Sequence, residues 1–404
     1  MPDPSPDSRQ HLDARTKARI SRVLLFLITV SLMGIDLCLP SLPAIGAHFG
    51  VPVARTQLTL TAFLLGFGLM QAIYGPLSER YGRRKIMLTG LVVAVFGNAC
   101  SIWAPGMDAF LVFRFVAGAG SSVIWVLQRS IMRYVFVERA EMTRFASHIA
   151  ATWAMTLAAA PILGGYIQTY LGWRFQFLLL AALSGLATVV VWNALPETKA
   201  AGSPADGTLA MVRRGYLDLG RNVRFIRYVL LCSLAFGVIM AYNVLSPFIF
   251  MGHFGLSPVR FGCLGLLVSC TYFLTTLFNS KFGARFATDR LLRAGAALML
   301  GGGVLLVGLE VAAVHHPLLP MPAIMASIVG MGLVCPNATV AAMSTIQTHF
   351  GLASSLFGCI QILGSTGITW ISGTWFRPSL AALGIVVIGI GAALLGLMYL
   401  PARK

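Results

Sequence analysis

The chain has too little charge for a water-facing surface. Asp, Glu, Lys and Arg make up 11% of its 404 residues, where a soluble domain carries about 25%. Acid is scarcest, with 13 Asp and Glu against 30 Lys and Arg. No CxxC occurs, and Cys38, Cys100, Cys232, Cys263, Cys270, Cys335 and Cys359 all lie inside apolar runs. That argues against a disulfide framework and for small apolar core residues. A phosphate-binding GxxxxGK(S/T) loop is missing, and no polar stretch is large enough to house a nucleotide-driven motor. Nor do His, Asp and Glu gather as a metal or acid–base centre requires. His315 and His316 stand in one loop with only Glu310 near them in sequence. No ring of charges or filter-like loop marks a channel. We therefore expect no enzyme, no cofactor and no metal.

Apolar residues are abundant instead, at 57% of the chain with a mean hydropathy of +0.81. This composition is that of a polytopic membrane protein. Forty-two glycines and nineteen prolines, awkward in soluble helices, are at home in membrane spans. A formal charge of +17 raises the question of nucleic acid. Position answers it. The cations fill short gaps between apolar runs rather than one amphipathic face, so the lipid bilayer is their expected partner and nucleic acid is not. The start, MPDPSPDSRQHLDARTKARISR, precedes an apolar stretch longer than that of a signal peptide, without a small-x-small site after it. It reads as the lead-in to an uncleaved first span.

A span needs about 20 apolar residues. Such runs lie at roughly 22–42, 56–77, 86–104, 109–132, 144–168, 174–195, 226–250, 259–280, 291–311, 321–346, 352–373 and 378–400. With the N-terminus inside, twenty-five of the thirty Lys and Arg fall on the inner side, and only Arg55, Arg174, Arg260 and Arg377 fall outside. That excess sets both termini in the cytoplasm. The longest gap follows the sixth span. The expected organisation is a tail 1–21, a six-helix bundle 22–195, a cytoplasmic loop 196–225, a second six-helix bundle 226–400 and a tail 401–404. Each half has a basic, glycine-containing turn after its second span, SERYGRRK at 78–85 and KFGARFATDR at 281–290. Two such halves around a midplane cavity are a recurring transporter layout.

Asp36 and Arg114 are the only charges well inside spans, the others lying near span ends and Glu310 at the outer end of the ninth. Asp36 lies in RVLLFLITVSLMGIDLCLPSLPAIG (22–46) with no cation within four residues, and an acid placed there costs roughly 2.5–3.5 kcal/mol on insertion. It falls about fourteen residues into the first span, roughly 21 Å deep, while Arg114 falls about five residues into the oppositely directed fourth. Both depths are in the outer half of the bilayer, so the two are the obvious candidate pair. Burial favours a neutral carboxyl and a neighbouring guanidinium an ionised one. A change in separation or hydration could therefore move a proton. Two readings stay open: a proton-coupling pair, or a static ion pair holding spans one and four together.

GPLSERYGRRK (75–85) is the sharpest local pattern. Gly75 and Gly82 permit close helix approach or an unusual turn. Glu79 can engage Arg80, Arg83 or Arg84, or a helix N-terminus across the cytoplasmic face. Taken alone, the stretch is also a topology-fixing basic loop. The pattern resembles the gate signature between spans two and three of the major facilitator superfamily, with Glu79 where aspartate is usual. RFVAGAGSS (114–122) resembles that family's fourth-span motif, with Arg114 as its arginine and Ala117 where glutamine is frequent. AAAPILGG (158–165) resembles its fifth-span antiporter motif, with Ala160–Pro161 in place of Gly-Pro. There Pro161, Gly164 and Gly165 suit a bending or sliding interface. DLCLPSLPAI (36–45), LSPFIF and GLSP (245–258), GLVCPNATVAAM (332–343) and SSLFGCIQ (354–361) are similar to the bicyclomycin/chloramphenicol-resistance subfamily of drug:proton antiporters.

The resemblance implies an all-α fold of twelve transmembrane helices in two pseudo-symmetric six-helix bundles, acting as a monomer in a bacterial inner membrane. It implies proton-driven export of small organic molecules. A dedicated exporter of one endogenous metabolite, such as a siderophore, is the alternative, and a nutrient importer a third. Substrate contacts are expected on the inner faces of spans 1, 2, 4, 5, 7, 8, 10 and 11. The candidates are Trp125, Trp153, Tyr242, Asn243, Asn337 and Gln361, aromatics for apolar or cationic groups and amides for polar ones. Each is also compatible with plain helix packing. His148 in the fifth span suits a proton relay or a satisfied core position.

Overall fold

The computed structural model describes residues 13–136, 138–197, 209–346 and 350–399. Tail residues 1–12 and 400–404 and loop residues 198–208 lie outside them. Within the described residues all regular structure is helical. The helices are α1 (Ala14–Asp36), α2 (Leu42–Phe49), α3 (Val53–Tyr81), α4 (Arg83–Ile102), α5 (Met107–Val135), α6 (Arg139–Tyr170) and α7 (Trp173–Ala194). After them come α8 (Leu209–Arg221), α9 (Val223–Pro247), α10 (Pro258–Phe282), α11 (Thr288–Val311), α12 (Met321–Ser344), α13 (Phe350–Trp375) and α14 (Leu380–Tyr399). Taking α1 with α2 as one span and omitting α8, twelve are long and apolar enough to cross a membrane. Their order matches the twelve apolar runs. An even number of crossings returns the chain to one face, called here the terminal face; the other is the distal face.

Sequence chemistry sets the ends. Asp13 accepts from Thr16 N and caps α1, Asn222 accepts from Phe225 N and caps α9, and Ser257 with Pro258 opens α10. Gly82, at φ +97°, separates α3 from α4 where an L side chain would be strained.

Two elements depart from the sequence reading. The first span is not one helix. α1 stops at Asp36, a short 3₁₀ turn spans Leu39–Ser41, and α2 begins at Leu42. Pro40 and Pro43 lack the N–H groups that a continuous helix would use here. The second departure is in the central loop, part of which folds as α8. Leu219 of α8 is buried, and Tyr216 Oη donates to Ala72 O of α3 at 2.8 Å. The loop thus packs on α9 and α13 of the second half and bonds across to α3 of the first.

Within each half, small residues let helices approach closely. A methyl group on Gly97 of α4 would overlap the Ala117 backbone of α5, and one on Gly295 of α11 would meet Gly330 of α12. The buried Ala117 therefore has no room for the glutamine of the motif it resembles. At the distal end Phe110 meets Trp173 and Phe177 edge-on, with ring centroids 5.8 and 5.3 Å apart. This cluster also buries Leu37 and Cys38, so it pins the chain just after the α1 break.

The halves meet along two long seams, α3 against α13 and α6 against α10. Gln57 Nε2 of α3 donates to Val244 O of α9 at 3.0 Å near the distal face, and Arg129 Nη1 of α5 donates to Ser354 O of α13 at 3.2 Å near the terminal face.

Candidate functional site

Between the halves lies a cavity of about 480 Å³, within the range of small-molecule sites. Its wall draws on α1, α3, α5, α6, α9, α10, α12 and α13. These are spans 1, 2, 4, 5, 7, 8, 10 and 11, the set expected from the sequence. Most of the wall is apolar: Ile28, Leu32, Phe67, Phe236, Met240 and Phe357 contribute to it. Of the candidate contacts, Trp125, Trp153, Asn243 and Gln361 line the cavity. Trp153 packs edge-on against Tyr272 across the α6–α10 seam, with centroids 4.8 Å apart.

Asn337 is not part of the wall. Its Nδ2 donates to Asn279 Oδ1 at 2.9 Å and to Leu333 O at 2.7 Å, tying α12 to α10. Its neighbours Pro336 and Thr339 face the cavity instead, because successive helical residues point about 100° apart. Tyr242 is displaced too, into a smaller void considered below. His148 is exposed and is not part of the cavity wall.

Three buried polar atoms on cavity residues have no hydrogen-bond partner: Trp125 Nε1, Trp153 Nε1 and Gln128 Oε1. Buried polar atoms are nearly always satisfied, so two donors and one acceptor on residues of the wall lack the partner such atoms ordinarily have. Sequence reading missed Gln128. It lies three residues beyond Trp125, hence on the same face of α5, and that spacing was the available signal.

Asp36 sits at the distal end of this cavity, 3% exposed, where Asn243 Nδ2 donates to its Oδ1 at 3.0 Å. The bond joins α1 of the first half to α9 of the second. Asp36, Tyr242 and Asn243 also bound a second void of about 20 Å³, closed by Leu39, Pro161 and Phe261. That is room for about one water. Asp36 therefore stands between a ligand-sized space and a water-sized one.

The expected Asp36–Arg114 ion pair does not form. Arg114 Nη2 donates to Gly34 O at 3.0 Å and lies 3.9 Å from Cys38 Sγ, while its guanidinium stacks over Phe63 and Phe177 at 4.5 and 5.3 Å. Its Nε and Nη1 have no partner. Gly34 and Cys38 are four residues apart and share a face of the chain, whereas Asp36 lies about 200° round from Gly34. The depths match and the faces do not. Arg114 holds the Gly34 carbonyl before Asp36 and meets the Cys38 side chain after it, rather than the Asp36 carboxylate.

The fifth-span residues press on the same place. Gly164 of α6 lies against Leu37 O, Gly165 against Pro258 O, and Gly262 of α10 against Pro161 O. Larger side chains at these glycines would part α6 from the α1 break and from α10.

At the terminal face Gly75 brings α3 against Ser355 of α13, and Glu79 Oε1 lies against Gly351 in the first turn of α13. An acid at a helix N-terminus meets the positive end of the helix dipole, and this one spans a seam between the halves. Arg80 stacks over Tyr81, and Arg84 over Trp192, at 5.2 and 5.4 Å. Glu197, which sequence reading passed over, accepts from the backbone N–H of Arg83 at 2.9 Å and of Arg84 at 3.3 Å and so caps α4.

Comparisons with known proteins agree with this architecture. The chain is 25% identical to a bicyclomycin resistance protein homolog of Haemophilus influenzae, over 94% of this chain and 97% of that one. It is 27% identical to a chloramphenicol resistance protein of Pseudomonas aeruginosa (84% and 80% covered) and 24% identical to multidrug resistance protein D of Escherichia coli (94% of each). Among solved structures, a D-xylose–proton symporter superposes with a TM-score of 0.74 at 15% identity, over 94% of this chain and 97% of that one. That likeness is one of fold. The family model of the Major Facilitator Superfamily matches residues 24–367, across both sets of spans that enclose the cavity, and the chain belongs to that superfamily.

Proposed function

We propose that the chain exports small, mostly apolar organic molecules from a bacterial cytoplasm in exchange for protons, as a monomer of the inner membrane with both termini inside. The observation that carries this reading is the position of Asp36. It is the cavity's carboxylate, it borders a water-sized void on its distal side, and it bonds across the two halves. The drug-resistance names of the relatives support export, and favour it over a dedicated metabolite exporter. The cations flanking the spans support the orientation.

The units that rock are taken as 22–195 and 226–400. With the distal end closed, ionised Asp36 accepts from Asn243 and ties α1 to α9. Cargo entering from the terminal side settles against the apolar wall, with its polar groups on Trp125, Gln128 and Trp153. A cargo reaching Asp36 competes with Asn243 for the carboxylate, loosening the tie so that the distal end opens. There a proton neutralises Asp36 and the cargo departs. On return Asn243 re-forms its bond to the carboxylate, which is stronger as a charge-assisted bond than as a neutral one, and the proton leaves on the terminal side. Arg114, by holding Gly34 and stacking on α3 and α7, keeps the segment that bears Asp36 in place through both states. Pro161, Gly164 and Gly165 form the surface on which that segment and α10 slide.

Everted membrane vesicles test the reading. Acidifying the lumen should drive accumulation of chloramphenicol, and collapsing the gradient should end it. Accumulation indifferent to the gradient would contradict proton exchange.

A further inference from the structure

Cys232 of α9 and Cys335 of α12 face each other in the cavity wall. Each thiol donates to the carbonyl of the other residue, Cys232 Sγ to Cys335 O at 3.7 Å and Cys335 Sγ to Cys232 O at 3.6 Å. Thr339 Oγ1 lies 3.7 Å from Cys232 Sγ. The reciprocal bonds hold both sulfurs between the two backbones, and both cysteines are free. None of the other five cysteines lines the cavity.

Sulfur is a weak hydrogen-bond partner, whereas paired thiols are a strong site for a soft acceptor. Two sulfurs are too few for a closed tetrahedral zinc site, which takes four ligands. They match an acceptor satisfied by two sulfurs and carrying one organic group, and the cavity has room for that group beside Phe236, Met240 and Tyr272.

We infer that Cys232 and Cys335 form a dithiol site within the cavity for monosubstituted trivalent arsenicals. With an organoarsenic(III) oxide two As–S bonds form, the arsenic–oxygen bonding is lost, and the two thiol protons leave with the oxygen as water. Arsenic and sulfur keep their oxidation states. The inference concerns binding and stands independently of proton-coupled export.

Phenylarsine oxide on the purified full-length protein is the probe, read by intact mass. The expected result is one adduct that survives excess 2-mercaptoethanol and is removed by 2,3-dimercaptopropanol. Cys232→Ser and Cys335→Ser should each weaken that adduct on the order of 10²–10⁴-fold, the advantage of holding one ligand at two linked points. Replacing the other five cysteines with serine or alanine should leave it intact. Should that variant fail to fold, the single substitutions decide the matter. A monothiol-resistant adduct surviving either single substitution, or absent from the wild-type protein, overturns the site.

Discussion

Asn243 donates to Asp36 across 3.0 Å, and this one hydrogen bond joins the two halves at the distal end of the cavity. Nothing else between α1 and α9 needs the amide. Asn243→Ala should leave the fold standing, since a net hydrogen bond to a charged group contributes only about 1.5–3 kcal/mol. Export should fall by roughly an order of magnitude or more, while maleimide labelling of a cysteine placed at the distal mouth rises. Unchanged labelling would show that the bond does not hold that end shut.

Arg114 and Asp36 act on α1 separately, so their effects should add. Asp36→Asn, Arg114→Gln and the double variant, compared by thermal unfolding in detergent, should give a coupling below about 0.5 kcal/mol. A hidden ion pair would instead let the double variant recover much of what Arg114→Gln loses. Arg114→Lys should also be costly. An ammonium cannot stack between Phe63 and Phe177 as the guanidinium does.

The unpartnered indole of Trp153 predicts a selectivity change. Trp153→Phe keeps most of the apolar surface and removes one donor. Cargo bearing carbonyl or nitro groups should lose about tenfold in apparent affinity, the worth of one hydrogen bond, and purely apolar cargo little. Equal loss for both classes in a competition assay would assign Trp153 to packing alone.

Glu197 caps α4 from the far end of the first half. Glu197→Ala should lower stability by about 1–2 kcal/mol, read as a fall in Tm, with the distal end and cargo affinity unchanged. A cargo-affinity loss without a stability loss would point to a gating role instead.

The twelve spans were legible because a bilayer demands length and greasiness, and both are one-dimensional properties. Asp36 and Arg114 were conspicuous for the same reason: charge inside a span is rare. Pairing them went wrong because depth can be counted along a chain while the face a side chain takes depends on where its helix ends. The break after Asp36 was written in Pro40 and Pro43, yet the unbroken apolar run concealed it. Asn243 was named as a cargo contact, and its bond to Asp36 emerged only when two spans 207 positions apart were brought together. Asn337 shows the converse, an amide consumed by a neighbouring helix. Glu197 looked like an ordinary loop acid, because a cap supplied from another part of the chain leaves no local trace.

The most direct measurement is proton uptake by the purified protein on cargo addition, followed with a dye in weakly buffered solution near neutral pH. Wild-type protein should take up protons in a saturable, cargo-dependent manner, because cargo opens the distal end where ionised Asp36 is neutralised, and folded Asp36→Asn should bind cargo yet take up none. Uptake by Asp36→Asn equal to that of the wild type would contradict the account, because the transported proton would then reside elsewhere.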